Sequence, residues 1–74
     1  MSSAEQELRV QVKAALLTAR ISQAEIARRL DLSTKHLSHM FTGRAPLTLD
    51  WAERILAHCG MRIVIGLQHD TQPR

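Results

Sequence analysis

The sequence predicts a mainly α-helical domain of four to five helices, followed by a short C-terminal β-strand. Apolar residues recur at steps of three and four over most of the chain, the period of an amphipathic helix. Between residues 61 and 67 the period changes to two, which is typical of a strand. With 74 residues, the chain has room for one domain and a thin core.

Helix 1 is predicted from about Ala4 to Ala19. Ser2 or Ser3 can accept a hydrogen bond from a backbone N–H of the first turn, which makes either residue a suitable N-cap. One apolar stripe follows the helical period and is formed by Leu8, Val12, Ala15, Leu16 and Ala19.

Helix 2 is predicted from about Gln23 to Leu30. Ser22 and Glu25 have the spacing of a capping box, in which each side chain bonds to the backbone of the other residue. Asp31 then interrupts the helix, because aspartate tolerates a left-handed backbone better than most residues.

Helix 3 is predicted from Thr34 to Phe41 or Thr42, with Ser33 as its N-cap and Gly43 as its stop. Its inward side chains are expected to be Leu37, Met40 and Phe41. Its outward side chains are expected to be Thr34, Lys35, Ser38 and His39.

Helix 4 is predicted to begin after the N-cap Thr48, with Gly60 as the signal for its C-terminal end. Beyond it, the alternating apolar residues are Met61, Ile63, Ile65 and Leu67. No second strand is predicted in the chain, and a lone strand is unstable, so we expect the same strand of a second copy to pair with it. The predicted organisation is a helical domain over 1–60, a dimerisation strand over 61–68 and a flexible tail over 69–74.

The formal charge of +3 and the single cysteine restrict the function further. Between Leu8 and Leu67, nine basic and four acidic residues leave a charge of +5, which favours a polyanionic partner. A lone Cys59 favours a reducing compartment, and the polar N-terminus does not resemble a signal peptide. We therefore expect a soluble cytoplasmic protein that does not enter a membrane.

Chemistry-bearing motifs point away from catalysis. The sequence offers no nucleophile triad, no paired carboxylates and no glycine-rich loop, so we expect neither an enzyme nor a cofactor. His36 and His39 have a spacing that can hold a metal ion, but two ligands without a third make a weak site, so no metal is predicted. Trp51 is expected at the edge of the core or against a dimer partner.

Helices 2 and 3, joined by a short turn, have the helix-turn-helix arrangement, and Ala27 leaves room for their close approach. Over roughly Val12 to Met61, the chain resembles the phage repressor/Cro (xenobiotic-response-element-like) helix-turn-helix family. The matching residues are Ser22, Gln23, Glu25, Ile26, Ala27, Leu30, Leu32, Ser33, Leu37, Ser38, Met40, Gly43, Arg44, Pro46, Leu49, Ile55 and Gly60.

The resemblance implies a compact lambda-repressor-like domain of four or five helices whose third helix reads the major groove of double-stranded DNA. It assigns base contacts to Thr34, Lys35 and His39, with Ser38 nearby, and phosphate contacts to Gln23, Thr42 and Arg44.

The chain departs from the family pattern in three places. Arg20 and Asp31 stand where glycine is common. A buried Arg–Glu pair that often links helix 1 to the end of helix 3 is replaced by Leu16 and Phe41, which we expect to touch.

Three functions remain open. The first is a homodimeric sequence-specific regulator, in particular a repressor that occupies its promoter. The second is an antitoxin that binds a protein toxin and represses its own operon. The third is a nonspecific chromosome-associated protein.

Overall fold

Four α-helices make up the regular structure of residues 3–69, the part of the chain that the computed structural model describes. They are α1 (Ala4–Ala19), α2 (Gln23–Arg29), α3 (Thr34–Thr42) and α4 (Leu49–His58). The predicted helices are confirmed, with α2 ending one residue earlier than expected. The proposed cap Ser2 and most of the predicted tail, residues 70–74, lie outside the described residues.

Each helix begins at a serine or threonine whose hydroxyl oxygen accepts a hydrogen bond from the backbone N–H three residues later. Such a cap stabilises a helix by about 1 kcal/mol. The bonds are Gln6 N–H to Ser3 at 3.1 Å, Glu25 N–H to Ser22 at 3.1 Å, His36 N–H to Ser33 at 3.0 Å and Trp51 N–H to Thr48 at 3.2 Å. The helix starts therefore follow from local sequence signals.

The core lies where α1 packs against α3 and α4, and where α2 packs against α3. Leu16 and Phe41 both belong to this buried cluster, while their direct contact stays a prediction. The buried apolar residues are Val12, Ala15, Leu16, Ile26, Ala27, Leu37, Met40, Phe41, Leu47, Ala52, Ile55 and Leu56. Among residues 3–69, no helix has both the length and the apolar character needed to span a bilayer.

Three helices end in the same way, with one residue in the left-handed region followed by a hydrogen bond back to the last turn. The left-handed residues are Arg20 (φ 59°), Asp31 (φ 58°) and Gly60 (φ 72°). The closing bonds run from Ile21 N–H to Leu16 O at 3.0 Å, Leu32 N–H to Ala27 O at 2.8 Å and Met61 N–H to Leu56 O at 2.9 Å. These bonds define Schellman motifs, so the turns keep their geometry without glycine at two of the three positions.

Arg20→Gly is expected to raise the free energy of unfolding by about 0.5–1 kcal/mol, because glycine adopts a left-handed backbone without the steric cost that other residues meet. Urea denaturation followed by circular dichroism measures the change. Gly43→Ala is the reverse control: its φ of 89° disfavours alanine, although a Cβ there would meet Arg9 only at an ordinary 3.8 Å. A less stable Arg20→Gly variant would contradict the assigned backbone cost.

The predicted C-terminal strand is not seen in this single chain, in which residues 61–69 form no strand or other regular element. A strand requires a hydrogen-bonded neighbour, and the rest of the described chain is helical or irregular. Only Ile63 packs partly against the core. Val64, Ile65 and Leu67 are 82%, 69% and 98% exposed, so the segment presents apolar side chains to solvent.

Candidate nucleic-acid interface

The third helix presents one buried and one accessible side. Leu37, Met40 and Phe41 are buried at the spacing of a helical face and fix α3 against the core, as predicted. Thr34 and Lys35 are exposed in the first turn, and Ser38 and His39 are half-buried one turn later. All four predicted base-contacting residues therefore lie away from the most buried side of one helix.

His36 also belongs to α3 but is turned towards α4. Its ring meets Trp51 edge-on, with centroids 6.3 Å apart and planes at 72°. The guanidinium of Arg54 lies 5.0 Å from the centre of the same indole. Trp51 is thus at the edge of the core, as predicted, and its ring meets one side chain of α3.

The three predicted phosphate-contacting residues are all exposed and lie in three neighbouring parts of the chain. Gln23 is the first residue of α2, Thr42 is the last residue of α3, and Arg44 lies in the following loop. The hydroxyl of Thr42 donates to the carbonyl of His39 at 3.4 Å, so it would have to rotate before donating elsewhere. Within residues 3–69, no group of three His, Cys, Asp or Glu side chains could hold a metal ion.

Some basic residues near the motif form ion pairs with a carboxylate, and others do not. The carboxylate of Glu25 pairs with Arg29 at 2.9 Å and with Arg28. The carboxylate accepts hydrogen bonds from both arginines, and these bonds hold the pKa of Glu25 below its ordinary value. The bond from Arg29 has the larger effect and that from Arg28 the smaller. Lys35 and Arg44, by contrast, form no ion pair with any residue of the range 3–69. Their charges remain available to an anionic partner.

Arg9 is the residue that reasoning from the sequence misplaced. Arg9 is one of the nine basic residues between Leu8 and Leu67 whose charge favours a polyanionic partner, but its side chain is only 10% exposed. Its Nε donates to the carbonyl of Met40 at 2.8 Å, and its Nη2 pairs with the carboxylate of Glu5. The spacing of Arg9 from Val12 and Leu16 places it on the buried stripe of α1, which was the available signal.

Glu5 and Arg9 together fasten α1 to the loop after α3. The carboxylate of Glu5 accepts the N–H of Leu47 at 3.2 Å, and Nη2 of Arg9 lies 3.5 Å from the carbonyl of Ala45. This Glu5–Arg9 clamp holds the loop that carries Arg44. The family's Arg–Glu pair is replaced by Leu16 and Phe41, but a different Arg–Glu pair links α1 to the end of α3 here. Both of its charged residues lie on α1.

The profile of a known protein family, described as the helix-turn-helix domain, matches residues 6–62. The chain belongs to this helix-turn-helix family. No curated protein and no solved structure gave a match.

In this helix-turn-helix domain, α2 and α3 are the two helices of the motif, joined by the turn from Leu30 to Ser33. Helix α3 occupies the position of the recognition helix, which in DNA-binding members of this architecture enters the major groove. The matched range includes Arg9 and ends at Arg62. The apolar segment that begins at Ile63 lies beyond the family domain.

Proposed function

We propose that this helix-turn-helix protein is a sequence-specific DNA-binding regulator of the phage repressor/Cro type, which represses transcription as a homodimer by occupying its promoter. The observation that carries the proposal is the accessible side of α3, with Lys35 exposed in its first turn and without an ion-pair partner in residues 3–69. The proposed role places the protein in the cytoplasm beside the chromosome and requires neither a cofactor nor a catalytic group.

Base recognition falls to Thr34, Lys35, Ser38 and His39. Lys35 suits the O6 and N7 acceptors of guanine, and Thr34 offers a methyl group to thymine or a hydroxyl to other base edges. Gln23, Thr42 and Arg44 bind the phosphates on either side, which sets the position of α3 without reading sequence.

Dimerisation falls to the segment after α4, through Met61, Ile63, Ile65 and Leu67. A groove of about 550 Å³ lies between this segment and the helices. It is lined by residues 61–66 and by residues of α1 and α4 such as Leu8, Ala15 and Leu56. Antiparallel pairing of two copies would give each segment the backbone partner that the single chain lacks and would cover its exposed apolar side chains. The two recognition helices would then reach half-sites about 34 Å apart on one face of the duplex.

Selection of bound sequences from a random pool of duplexes at physiological salt tests the function. We expect a pseudo-palindromic site whose half-sites are separated by about one helical turn. Recovery of an asymmetric site would contradict the homodimer, and recovery of no preferred sequence would support a nonspecific chromosome-associated protein instead.

Lys35→Ala is expected to reduce the preference for the selected operator over scrambled DNA by about 5- to 150-fold, the equivalent of one lost bidentate base contact worth about 1–3 kcal/mol. Fluorescence anisotropy on both duplexes measures the ratio. Arg44→Ala is the matched control, because loss of a phosphate contact weakens both duplexes equally. An unchanged ratio for Lys35→Ala would remove Lys35 from the reading surface.

A second candidate is an antitoxin that binds a protein toxin and represses its own operon. The observation that favours it is the apolar segment from Val64 to Leu67, which is exposed and suits a protein partner as well as a second copy. Stable co-purification with the product of a neighbouring gene would support the antitoxin, whereas a homodimer without such a partner supports the simple repressor.

A further inference from the structure

The side chains of two basic residues, one on the first helix and one in the turn after it, make no polar contact within the described residues. Lys13 and Arg20 are exposed, and neither forms an ion pair or a side-chain hydrogen bond within residues 3–69. Lys13 lines a shallow depression of about 180 Å³ together with Ser22 and Gln23. Its aliphatic floor is formed by Leu16, Leu17 and Ile21. The ammonium-bearing side chain of Lys13 thus borders the same surface as a residue already proposed to bind phosphate.

Arg20 lies in the turn that leads from α1 to Ser22 and Gln23, with a left-handed backbone at φ 59°. Glycine adopts this conformation without steric cost, and a long β-carbon-bearing side chain does not. The chain therefore carries a cation at a position where the backbone favours glycine. The guanidinium forms no ion pair or side-chain hydrogen bond within residues 3–69. A charged residue held in this backbone region without a polar partner points to a functional contact.

We propose that Lys13 and Arg20 bind DNA backbone phosphates beside Gln23, which extends the contact with the duplex from the helix-turn-helix unit onto α1 and the α1–α2 turn. The inference rests on the proposed DNA-binding function and goes beyond it, because neither residue belongs to α2 or α3. Lysine and arginine neutralise phosphate charge whatever the base sequence, so these contacts raise affinity for every duplex and strengthen its dependence on salt.

The test is a salt titration of binding to operator and scrambled duplexes by the wild type, Lys13→Ala, Arg20→Gly and the double variant. The slope of log Kobs against log salt is expected to become shallower by about 0.9 for each residue replaced, on both duplexes alike. Arg20→Gly relieves backbone strain, so weaker binding by this variant does not come from unfolding. Arg20→Lys should keep the wild-type slope because it keeps the charge.

Arg62→Ala is the control for the loss of one exposed positive charge, since Arg62 lies beyond α4 and is also unpaired in residues 3–69. Because Arg62 belongs to the proposed dimerisation strand, this variant is compared with the wild type on an isolated half-site, where dimerisation does not affect binding. It should leave the slope unchanged. A double variant with the wild-type slope would overturn this inference while leaving the proposed function intact. A wild type that binds no duplex would overturn the proposed function, and the inference with it.

Discussion

Arg9→Ala is expected to lower the free energy of unfolding by about 3 kcal/mol, a large share of the total for a small domain. The substitution leaves the carbonyl of Met40 without its donor at 2.8 Å, inside a region where water does not readily replace it. It also releases the carboxylate of Glu5, which is 43% exposed and can regain part of its hydration. Urea denaturation monitored by circular dichroism gives the change.

The chain supplies a matched control in α4. Asp50 and Arg54 form an ion pair at 3.3 Å with the same four-residue spacing as Glu5 and Arg9, but the side chain of Arg54 is 57% exposed and that of Asp50 71%. Exposed pairs of this kind contribute only about 0.3–0.5 kcal/mol. Arg54→Ala should therefore change stability by about one-tenth to one-sixth as much as Arg9→Ala, apart from any loss of its contact with Trp51.

A graded variant separates charge from geometry. Arg9→Lys keeps the positive charge but lacks the planar fork that serves Met40, Glu5 and Gln6 together, so we expect a smaller loss of about 1–2 kcal/mol. Equal losses for Arg9→Ala and Arg54→Ala would show that burial and the bond to the end of α3 contribute nothing to the Glu5–Arg9 clamp.

The helices were predictable because their signals are local. A hydroxyl at Ser3, Ser22, Ser33 or Thr48 satisfies an N–H three residues later whatever the rest of the chain does. The left-handed turn at Asp31 is similarly encoded within its own helix end. For these features the sequence within one turn contains most of the physical cause.

Arg9 was harder to place because its partners are distant in sequence. Its bond to Met40 spans 31 residues, and a periodicity argument treats arginine as a surface residue by default. The charge of +5 between Leu8 and Leu67 also leaves out Glu5, the carboxylate that pairs with Arg9. A charged residue on an apolar stripe, with an opposite charge one turn away, is the pattern that would have indicated the clamp.

The C-terminal segment could be predicted only in part, for a different reason. The alternation of apolar residues along residues 61–67 predicts which side chains share a face. A strand, however, exists only where a second backbone supplies its hydrogen bonds. The accessible side of α3 was predicted more successfully, because burial of Leu37, Met40 and Phe41 fixes which residues remain outside. The contacts those residues make belong to the complex with DNA, so they stay predictions.

Replacing Ile65 and Leu67 together with serine is expected to weaken binding to a full operator by roughly 10²- to 10⁴-fold, because the second half-site is then no longer held at a high effective concentration. Both side chains are largely exposed, at 69% and 98%, so the monomer should keep its stability to within about 0.5 kcal/mol. Binding to an isolated half-site should stay nearly constant. Serine is neutral, so electrostatic attraction to DNA does not change.

Val64→Ser is the matched control, because Val64 is 82% exposed but alternates with the residues assigned to the dimer face. It should sediment as the wild type does and keep full operator affinity. The double variant should sediment as a monomer at concentrations where the wild type is dimeric. If the double variant stays dimeric, the segment does not form the interface, and the two recognition helices must be joined through another surface. If Val64→Ser dissociates as readily as the double variant, side chains on both faces of the segment contribute to the dimer. The segment then does not associate as a paired strand with one buried face.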